Sequence, residues 1–150
     1  DEFPNVFIMR TFSKAYGLAN YRVGYMMSSV ELANYIQTIR LPYNLNTLSQ
    51  VAAEAAFEDQ EFLRATVRKN AVERDLWEQT LDEVKATYYK SGANFIFMSV
   101  PNADGLADAW LAKGYQVRRG QRDNWLRVTL PTASDGAIMR SILKEYMARQ

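Results

Sequence analysis

The chain of 150 residues is 48% hydrophobic and 13% aromatic, which is enough apolar material for a packed core and a globular fold. Eighteen basic and seventeen acidic residues leave a formal charge of +1, so the charge balance indicates neither a nucleic-acid partner nor attachment to an anionic membrane. Cysteine and histidine are absent, which excludes disulfides, thiolate metal sites and every mechanism that needs a histidine base. Chemistry must therefore come from Lys, Arg, Tyr, Asp, Glu or a bound cofactor.

The sequence also bears on location and completeness. It has no apolar stretch as long as a transmembrane helix and no signal-peptide pattern at its start. Because no cysteine requires an oxidising compartment, a reducing cytoplasm is permitted. The chain opens on Asp1 and runs within a few residues into an apolar segment, so we expect it to be part of a longer polypeptide.

The first elements predicted are a strand, a glycine-punctuated connection and a second strand, at residues 6–9, 10–21 and 23–27. The first strand is a continuous apolar run, which is typical of a buried strand in a parallel sheet. Ser28 and Glu31 then have the spacing of a capping box, which predicts a helix that ends before Pro42.

Helical periodicity returns over residues 48–84, where we predict two helices that join near residues 58–60, with Asp59 as a cap. Further elements are a strand, a helix closed by Gly114, two strands and a final helix capped by Ser134 or Asp135; the first four lie at residues 95–100, 102–113, 115–118 and 125–130. The order strand, helix, strand, strand, helix is typical of a compact α/β or α+β unit.

Lys14 and Arg22 lie in the segment "RTFSKAYGLANYRVGY" at residues 10–25. Lysine attacks carbonyls only as the neutral amine, and the carboxyl end of a strand is where open α/β sheets bind ligands. Thr11 and Ser13 place hydroxyls beside Lys14, and with Arg22 they are a plausible phosphate cradle. From composition and spacing alone, a solvated loop lysine remains the commoner explanation.

This segment closely resembles the lysine signature of the fold-type I pyridoxal-phosphate aminotransferases, and "RTFSKAYGL" is most similar to the histidinol-phosphate aminotransferase branch. The shared pattern is a hydroxyl residue, Ser, Lys, a Gly-Leu turn, and an Arg eight places after the Lys, with one departure at residues 20–21. The resemblance implies that Lys14 forms the internal aldimine with pyridoxal 5′-phosphate and afterwards moves the proton between substrate and cofactor. It also implies that the cofactor phosphate is bound by Thr11, Ser13 and Arg22.

A second informative stretch is "NWLRVTLPT" at residues 124–132. In a strand, Arg127 lies on the face opposite the aliphatic side chains, and by itself it is most simply a surface arginine in an ion pair. The resemblance implies that Arg127 binds the substrate carboxylate or phosphate, helped by Arg118, with Arg119 as the alternate helper. Pro131 stands where the family usually has glycine, which leaves the substrate class more open than the reaction.

The resemblance extends over most of the chain and implies the C-terminal part of a pyridoxal-phosphate transferase fold of the α/β class. Residues 1–57 would be the end of the large-domain sheet with a connecting helix, and residues 58–150 the small α/β (α+β) domain. Residues that complete the family's active site belong to a preceding part of the polypeptide and to a second subunit. The chain alone is therefore expected to be inactive.

The function implied is transamination between histidinol phosphate and 2-oxoglutarate in histidine biosynthesis. The implied enzyme is a cytoplasmic homodimer that takes a small amino donor and a 2-oxo acid, with no metal, nucleic acid or membrane. Alternatives of the same fold are an aromatic amino-acid aminotransferase and a phosphothreonine decarboxylase. An alternative from another class is a non-catalytic folding or dimerisation fragment.

Overall fold

The computed structural model describes residues 3, 5–120 and 122–150. Residues 1, 2 and 4 of the predicted large-domain segment lie outside the described residues, as does residue 121. The chain divides into two compact units, Asp1–Val67 and Arg68–Gln150, and each is described by itself below. No helix within the described ranges is long and apolar enough to cross a membrane.

The first unit begins with an antiparallel hairpin of β1, Phe7–Thr11, and β2, Gly24–Ser28. A short 3-10 helix, Ala19–Tyr21, lies in the connection between the two strands. The prediction of a buried parallel strand at residues 6–9 is wrong, because β1 is antiparallel and exposed along its length. Within the described residues the two strands pair only with each other, so their apolar side chains are not enclosed between layers.

Three helices follow the hairpin: α1, Val30–Ile39, α2, Thr47–Glu58, and α3, Gln60–Glu83. The cap of α1 is Ser29, whose side chain accepts a hydrogen bond from the Leu32 N–H, whereas the predicted cap, Ser28, is the last residue of β2. The predicted joint between α2 and α3 is confirmed, and the Asp59 carboxylate accepts the Phe62 N–H at 3.0 Å.

The core of the first unit is small and lies under the connection between β1 and β2. Its buried apolar residues are Phe12, Val23 and Ala53. Ser49, in the first turn of α2, is 1% exposed, and its hydroxyl donates a 2.6 Å hydrogen bond to the Tyr21 carbonyl. Helix α2 therefore packs against the connection through Ala53, which joins the apolar cluster, and through the buried hydrogen bond of Ser49.

The second unit is a four-stranded antiparallel sheet with helices on one face. Its strands are β3, Thr87–Tyr89, β4, Phe95–Ser99, β5, Arg118–Arg119, and β6, Trp125–Thr129, in the spatial order β3-β4-β6-β5. The helices packed with it include α4, Ala103–Leu111, and α5, Ala133–Met147. The strands predicted at 95–100 and 125–130 are confirmed, and β3 is an edge strand that we did not predict.

Two further predictions of this unit need correction. The strand expected at residues 115–118 is β5, displaced to Arg118–Arg119, because the Tyr115 N–H is bonded to the Trp110 carbonyl and completes the end of α4. Gly114 has φ +87°, as a glycine after a helix requires. The cap of α5 is Thr132, not Ser134 or Asp135, and its side chain accepts the Asp135 N–H.

Buried and exposed side chains alternate along β4 and β6, and the buried ones form the sheet side of the second unit's core. Ile96, Met98, Leu126 and Val128 are at most 1% exposed and face the helices, while the residues between them are half-buried or exposed. The helices contribute Trp77, Leu81, Leu106, Trp110, Met139 and Leu143 to the same cluster. Each such buried side chain stabilises the fold by about 1.5–3 kcal/mol relative to its exposed state.

A buried ion pair joins α3 to α5. Arg140 donates to the Glu73 carboxylate, and the two side chains are 11% and 5% exposed. Gly136, one turn before Arg140 on α5, leaves the room for this carboxylate, because a Cβ at that position would collide with Glu73 Oε1. The close approach of the two helices thus depends on a glycine and on a paired charge.

We predict that Gly136→Ala destabilises the second unit by about 1–3 kcal/mol, since the added methyl group must displace a buried carboxylate. The three tryptophans all lie in this unit, so their fluorescence during urea unfolding of the chain is the measurement. Gly92→Ala is the control, because a Cβ there meets open space. An alanine variant at 136 as stable as the parent would contradict the prediction.

We also predict that Glu73→Gln destabilises the chain by about 3–5 kcal/mol, because it leaves the Arg140 charge buried without a partner. Glu83→Gln is the matched control, since Glu83 forms a second ion pair between α3 and α5, with Lys144. The Glu83 side chain is 60% exposed and that of Lys144 is 48% exposed. That exposed pair is expected to contribute at most about 1 kcal/mol. Equal losses in the two variants, measured by the same unfolding, would show that burial is not the cause.

Candidate active site

The backbone around Lys14 is held in a compact turn. The Phe12 N–H donates to the Val23 carbonyl at 3.2 Å, the Leu18 N–H to the Phe12 carbonyl at 3.0 Å, and the Gly17 N–H to the Lys14 carbonyl at 2.9 Å. Gly17 has φ +74°, a conformation that glycine adopts without strain. Lys14 is exposed, so the turn fixes its backbone while its amine faces solvent in this unit.

The hydroxyl residues and the arginine predicted for the phosphate lie at one end of the hairpin. Phe12 and Val23 are bonded across the connection, which places Thr11 and Ser13, the neighbours of Phe12, opposite the segment that carries Arg22. The Ser13 N–H donates to Thr11 Oγ1 at 3.0 Å. A hydroxyl can donate while it accepts, and no bond donated by Thr11 Oγ1 is found among the described residues, so its O–H is available to donate.

Arg22 adopts an unusual backbone conformation. Its φ is +52°, which is uncommon for a residue with a side chain and costs free energy that other interactions of the fold must offset. Its Nη1 donates a 2.8 Å hydrogen bond to the Ala19 carbonyl, at the start of the 3-10 helix. A guanidinium has five N–H donors, so this bond orients the group and leaves most of its donors for an anion.

The structure brings Arg118 and Arg127 together. In the register of the sheet, Tyr89 pairs with Phe97, Phe97 with Arg127, and Arg127 with Arg118. Directly paired residues point to the same face, so these four side chains form one row on the face away from the core. We call it the arginine–aromatic row, and a groove of about 440 Å³ runs along it.

Aromatic rings support one end of this row. Phe97 stacks on Trp125 with a centroid separation of 4.7 Å, and Tyr89 stacks on Trp125 at 5.2 Å. The Arg127 guanidinium lies 4.4 Å from the centroid of Phe95, a cation–π contact that engages its flat face. The N–H groups at its edge can therefore still meet a carboxylate or phosphate.

Two further arginines lie next to the arginine–aromatic row. The sequence analysis did not identify the first, Arg122, and considered the second, Arg119, only as the alternate to Arg118. Arg122 also lines the groove, and no pattern in the sequence distinguishes it from an ordinary loop arginine. Arg119, the alternate to Arg118, is bonded to Asp104 and Asp108 of α4, and the hydrogen bond to Asp104 is the main reason that its pKa is raised. Arg119 also lines the groove, with its guanidinium bonded to α4.

Gly120 closes β5 against β6. Its N–H donates a 2.7 Å hydrogen bond to the Trp125 carbonyl. A Cβ at this position would lie 2.8 Å from the Trp125 Cβ and 2.9 Å from the Trp125 carbonyl oxygen. The backbones approach so closely that glycine is required beside the arginine pair.

Similar proteins are known over nearly the whole chain. The family described as aminotransferase class I and II matches residues 1–142. A histidinol-phosphate aminotransferase of Lactiplantibacillus plantarum is 50% identical over 147 residues, which is 98% of this chain and 41% of that protein. One of Limosilactobacillus fermentum is 49% identical, covering 99% of this chain and 41% of its own length. The chain thus spans about two-fifths of these curated relatives.

Solved structures give the same result for the fold. Histidinol-phosphate aminotransferase from Sinorhizobium meliloti, in complex with pyridoxal 5′-phosphate, has a TM-score of 0.82 and 27% identity, over 97% of this chain and 42% of that one. Histidinol-phosphate aminotransferase from Clostridium acetobutylicum has a TM-score of 0.87 and 21% identity, and the match covers 99% of this chain and 48% of that one. These matches confirm the predicted α/β class and the C-terminal part of a pyridoxal-phosphate transferase fold.

The resemblance first noted at residues 10–25 is therefore not confined to one motif, because the family match continues through both units and into α5. The chain belongs to the class I and II aminotransferase family.

Proposed function

We propose that this chain is the C-terminal part of a pyridoxal-phosphate aminotransferase that transfers an amino group between histidinol phosphate and 2-oxoglutarate. The observation that carries the proposal is the bonded pair of Phe12 and Val23, which gathers Thr11, Ser13 and Arg22 at the end of the hairpin that bears Lys14. The names of two similar proteins, both histidinol-phosphate aminotransferases, support histidinol phosphate as the amino donor, and 2-oxoglutarate as the acceptor is what the family resemblance implies. "Full-length protein" below means the polypeptide that joins this chain to the rest of such an enzyme.

We infer the domain arrangement from the two separate cores. Residues 1–57 would belong to the large domain and residues 58–150 to the small domain, with α3 as the connecting element. The separate clusters around Phe12 and around Trp77 support this division. The boundary between the two compact units, after Val67, falls inside α3, as suits a helix that links two domains.

The donors at the hairpin end fit the phosphate of pyridoxal 5′-phosphate. Thr11 has a free O–H, Ser13 adds a hydroxyl, and Arg22 keeps donors beyond the one bonded to Ala19. Hydroxyls and a guanidinium are the groups that bind phosphate oxygens well. When bound, the cofactor supplies an electron sink for the bonds at the substrate α-carbon.

Lys14 would hold the cofactor covalently and take up the proton from the α-carbon of the amino donor. Both tasks need the neutral amine. In this unit the Lys14 side chain is exposed, so a pocket that shields it from water would have to be completed by the rest of the full-length protein. This need also supports the proposal that the isolated chain is inactive.

Arg127 and Arg118 would bind the anionic end of the amino donor. They are paired across β6 and β5, and two positive charges placed side by side repel each other unless an anion lies between them. A phosphate dianion satisfies both guanidinium groups better than a single carboxylate does. Pro131 follows the buried Leu130 and precedes the cap of α5, so it shapes the start of that helix.

We infer that the enzyme is a homodimer in the cytoplasm. The first unit exposes many large apolar side chains, among them Met9 at 69%, Val30 at 78% and Tyr43 at 99%. Exposed apolar surface of this extent needs a cover. The remainder of the polypeptide together with a second subunit would supply that cover.

We predict that Lys14→Ala in the full-length protein abolishes transamination and the covalent capture of pyridoxal phosphate. The measurement is borohydride reduction with the cofactor, digestion, and mass spectrometry of the peptide that contains residue 14. Lys113→Ala is the control, since this exposed lysine follows α4 and has no assigned role. Cofactor mass trapped in the Lys14→Ala variant at another lysine, with activity retained, would reject the assignment.

We predict that Arg118→Leu and Arg127→Leu each raise KM for histidinol phosphate by about 10- to 100-fold, the value of a lost hydrogen bond to a charged group. Steady-state kinetics with histidinol phosphate and with phenylalanine as amino donors are the measurement. Selective loss with the phosphorylated donor would support the proposed substrate. Faster turnover of phenylalanine than of histidinol phosphate by the unaltered protein would instead favour an aromatic amino-acid aminotransferase.

A further inference from the structure

Strand β5 holds Arg118 in place with few bonds of its own. It has two residues and lies at the edge of the sheet. Its only strand neighbour within the described residues is β6, where Arg118 is directly opposite Arg127. Like charges in that position are destabilising, so before an anion binds, repulsion favours the movement of Arg118 away from its partner.

The next residue, Arg119, is anchored on the other side. Successive side chains of a strand point to opposite faces, and the Arg119 guanidinium donates through Nη1 to Asp104 and through Nη2 to Asp108 at 2.7 Å. The two aspartates are one helical turn apart on α4. A planar guanidinium that bonds two carboxylates at once loses rotational freedom, in a group of side chains that are 49%, 72% and 66% exposed.

Helix α4 is a firm support for such an anchor. Its Leu106 and Trp110 are completely buried, and the Trp110 indole N–H donates to the Met139 carbonyl of α5 at 3.0 Å. The Asn102 side chain caps the helix by accepting the Gly105 N–H. Asp104 and Asp108 therefore extend, largely exposed, from a helix whose opposite side is completely buried.

We propose that Arg119, Asp104 and Asp108 are positioning residues that hold β5 against α4, so that Arg118 stays opposite Arg127 and both arginines bind one anionic group of the substrate. The proposal rests on the function proposed above. The two aspartates also neutralise Arg119, which keeps it from competing with Arg118 for the anion. We call these three residues the clamp: Arg119 pairs with the core residue Leu126 and bonds α4 on the helix side of the sheet, and it also borders the groove.

The sign of the effect separates this role from simple electrostatics. Replacing Asp104 and Asp108 with asparagine removes two negative charges near the groove. Coulomb attraction alone would then bind an anionic substrate more tightly. Loss of the clamp instead weakens binding, because Arg118 is released from its place opposite Arg127.

The test is the double variant Asp104→Asn with Asp108→Asn in the full-length protein. We expect KM for histidinol phosphate to rise about three- to tenfold, the scale of a small surface ion-pair network, while kcat changes by less than about twofold. Arg119→Leu should match the double variant. Arg119→Lys, which can meet only one carboxylate well, should recover part of the loss. Glu83→Gln is the control, because it breaks another exposed ion pair of the same unit.

The outcomes also distinguish the two proposals. If Arg118→Leu raises KM while the double aspartate variant leaves it unchanged or lowers it, the positioning role is wrong and the proposed function stands. An equal rise in KM on Glu83→Gln, or a fall in kcat as large as the rise in KM, would likewise overturn it. If Arg118→Leu itself leaves KM for histidinol phosphate unchanged, the anion site of the proposed function fails first.

Discussion

The alternation of side chains along β6 is the constraint on which the second unit depends. Leu126 and Val128 enter the core, so Arg127 between them must face the other way. The antiparallel register then continues that face across the sheet, to Phe97 on one side and Arg118 on the other. Burial of the aliphatic side chains thus supplies the free energy that places two positive charges side by side.

In the first unit the candidate site residues are positioned mainly by backbone hydrogen bonds, whereas in the second they are positioned by the packing of the sheet against its helices. Its core has few buried residues, and the segment that carries Lys14 is shaped by bonds across the hairpin and by positive φ angles at Gly17 and Arg22. Such a segment keeps its shape while its outer surface stays open. The reactive amine and the phosphate cradle that we propose here would both require that arrangement, since the groups must face a ligand and not the core.

The sequence was informative where local chemistry decides structure and uninformative where partners are distant. The helix joint at Asp59 and the glycine at 114 follow from short-range preferences, and both were predicted. The cap of α1 was wrong by one residue, because adjacent serines are equivalent in a pattern and only the end of β2 distinguishes them. The buried parallel strand was wrong because an apolar run indicates burial without saying what covers it.

The candidate site divides in the same way. Lys14 and its neighbours are contiguous, so a family resemblance could identify them, and their roles stay predictions. The pairing of Arg118 with Arg127 depends on the register of β5 and β6, and the bonds of Arg119 to α4 depend on tertiary structure. The four-residue spacing of Asp104 and Asp108 was the only local signal of that contact, and it occurs on many exposed helices.

The close approach at Gly120 limits how this surface can diversify among related sequences. A side chain at that position would separate β5 from β6 at the point where their backbones are bonded, and it would take Arg118 away with the strand. If the groove binds the substrate as proposed, its preference for that group can change through the outward residues of β4 and β6 or through the neighbouring Arg122. Position 120 itself is closed to variation for as long as the paired arginines are kept.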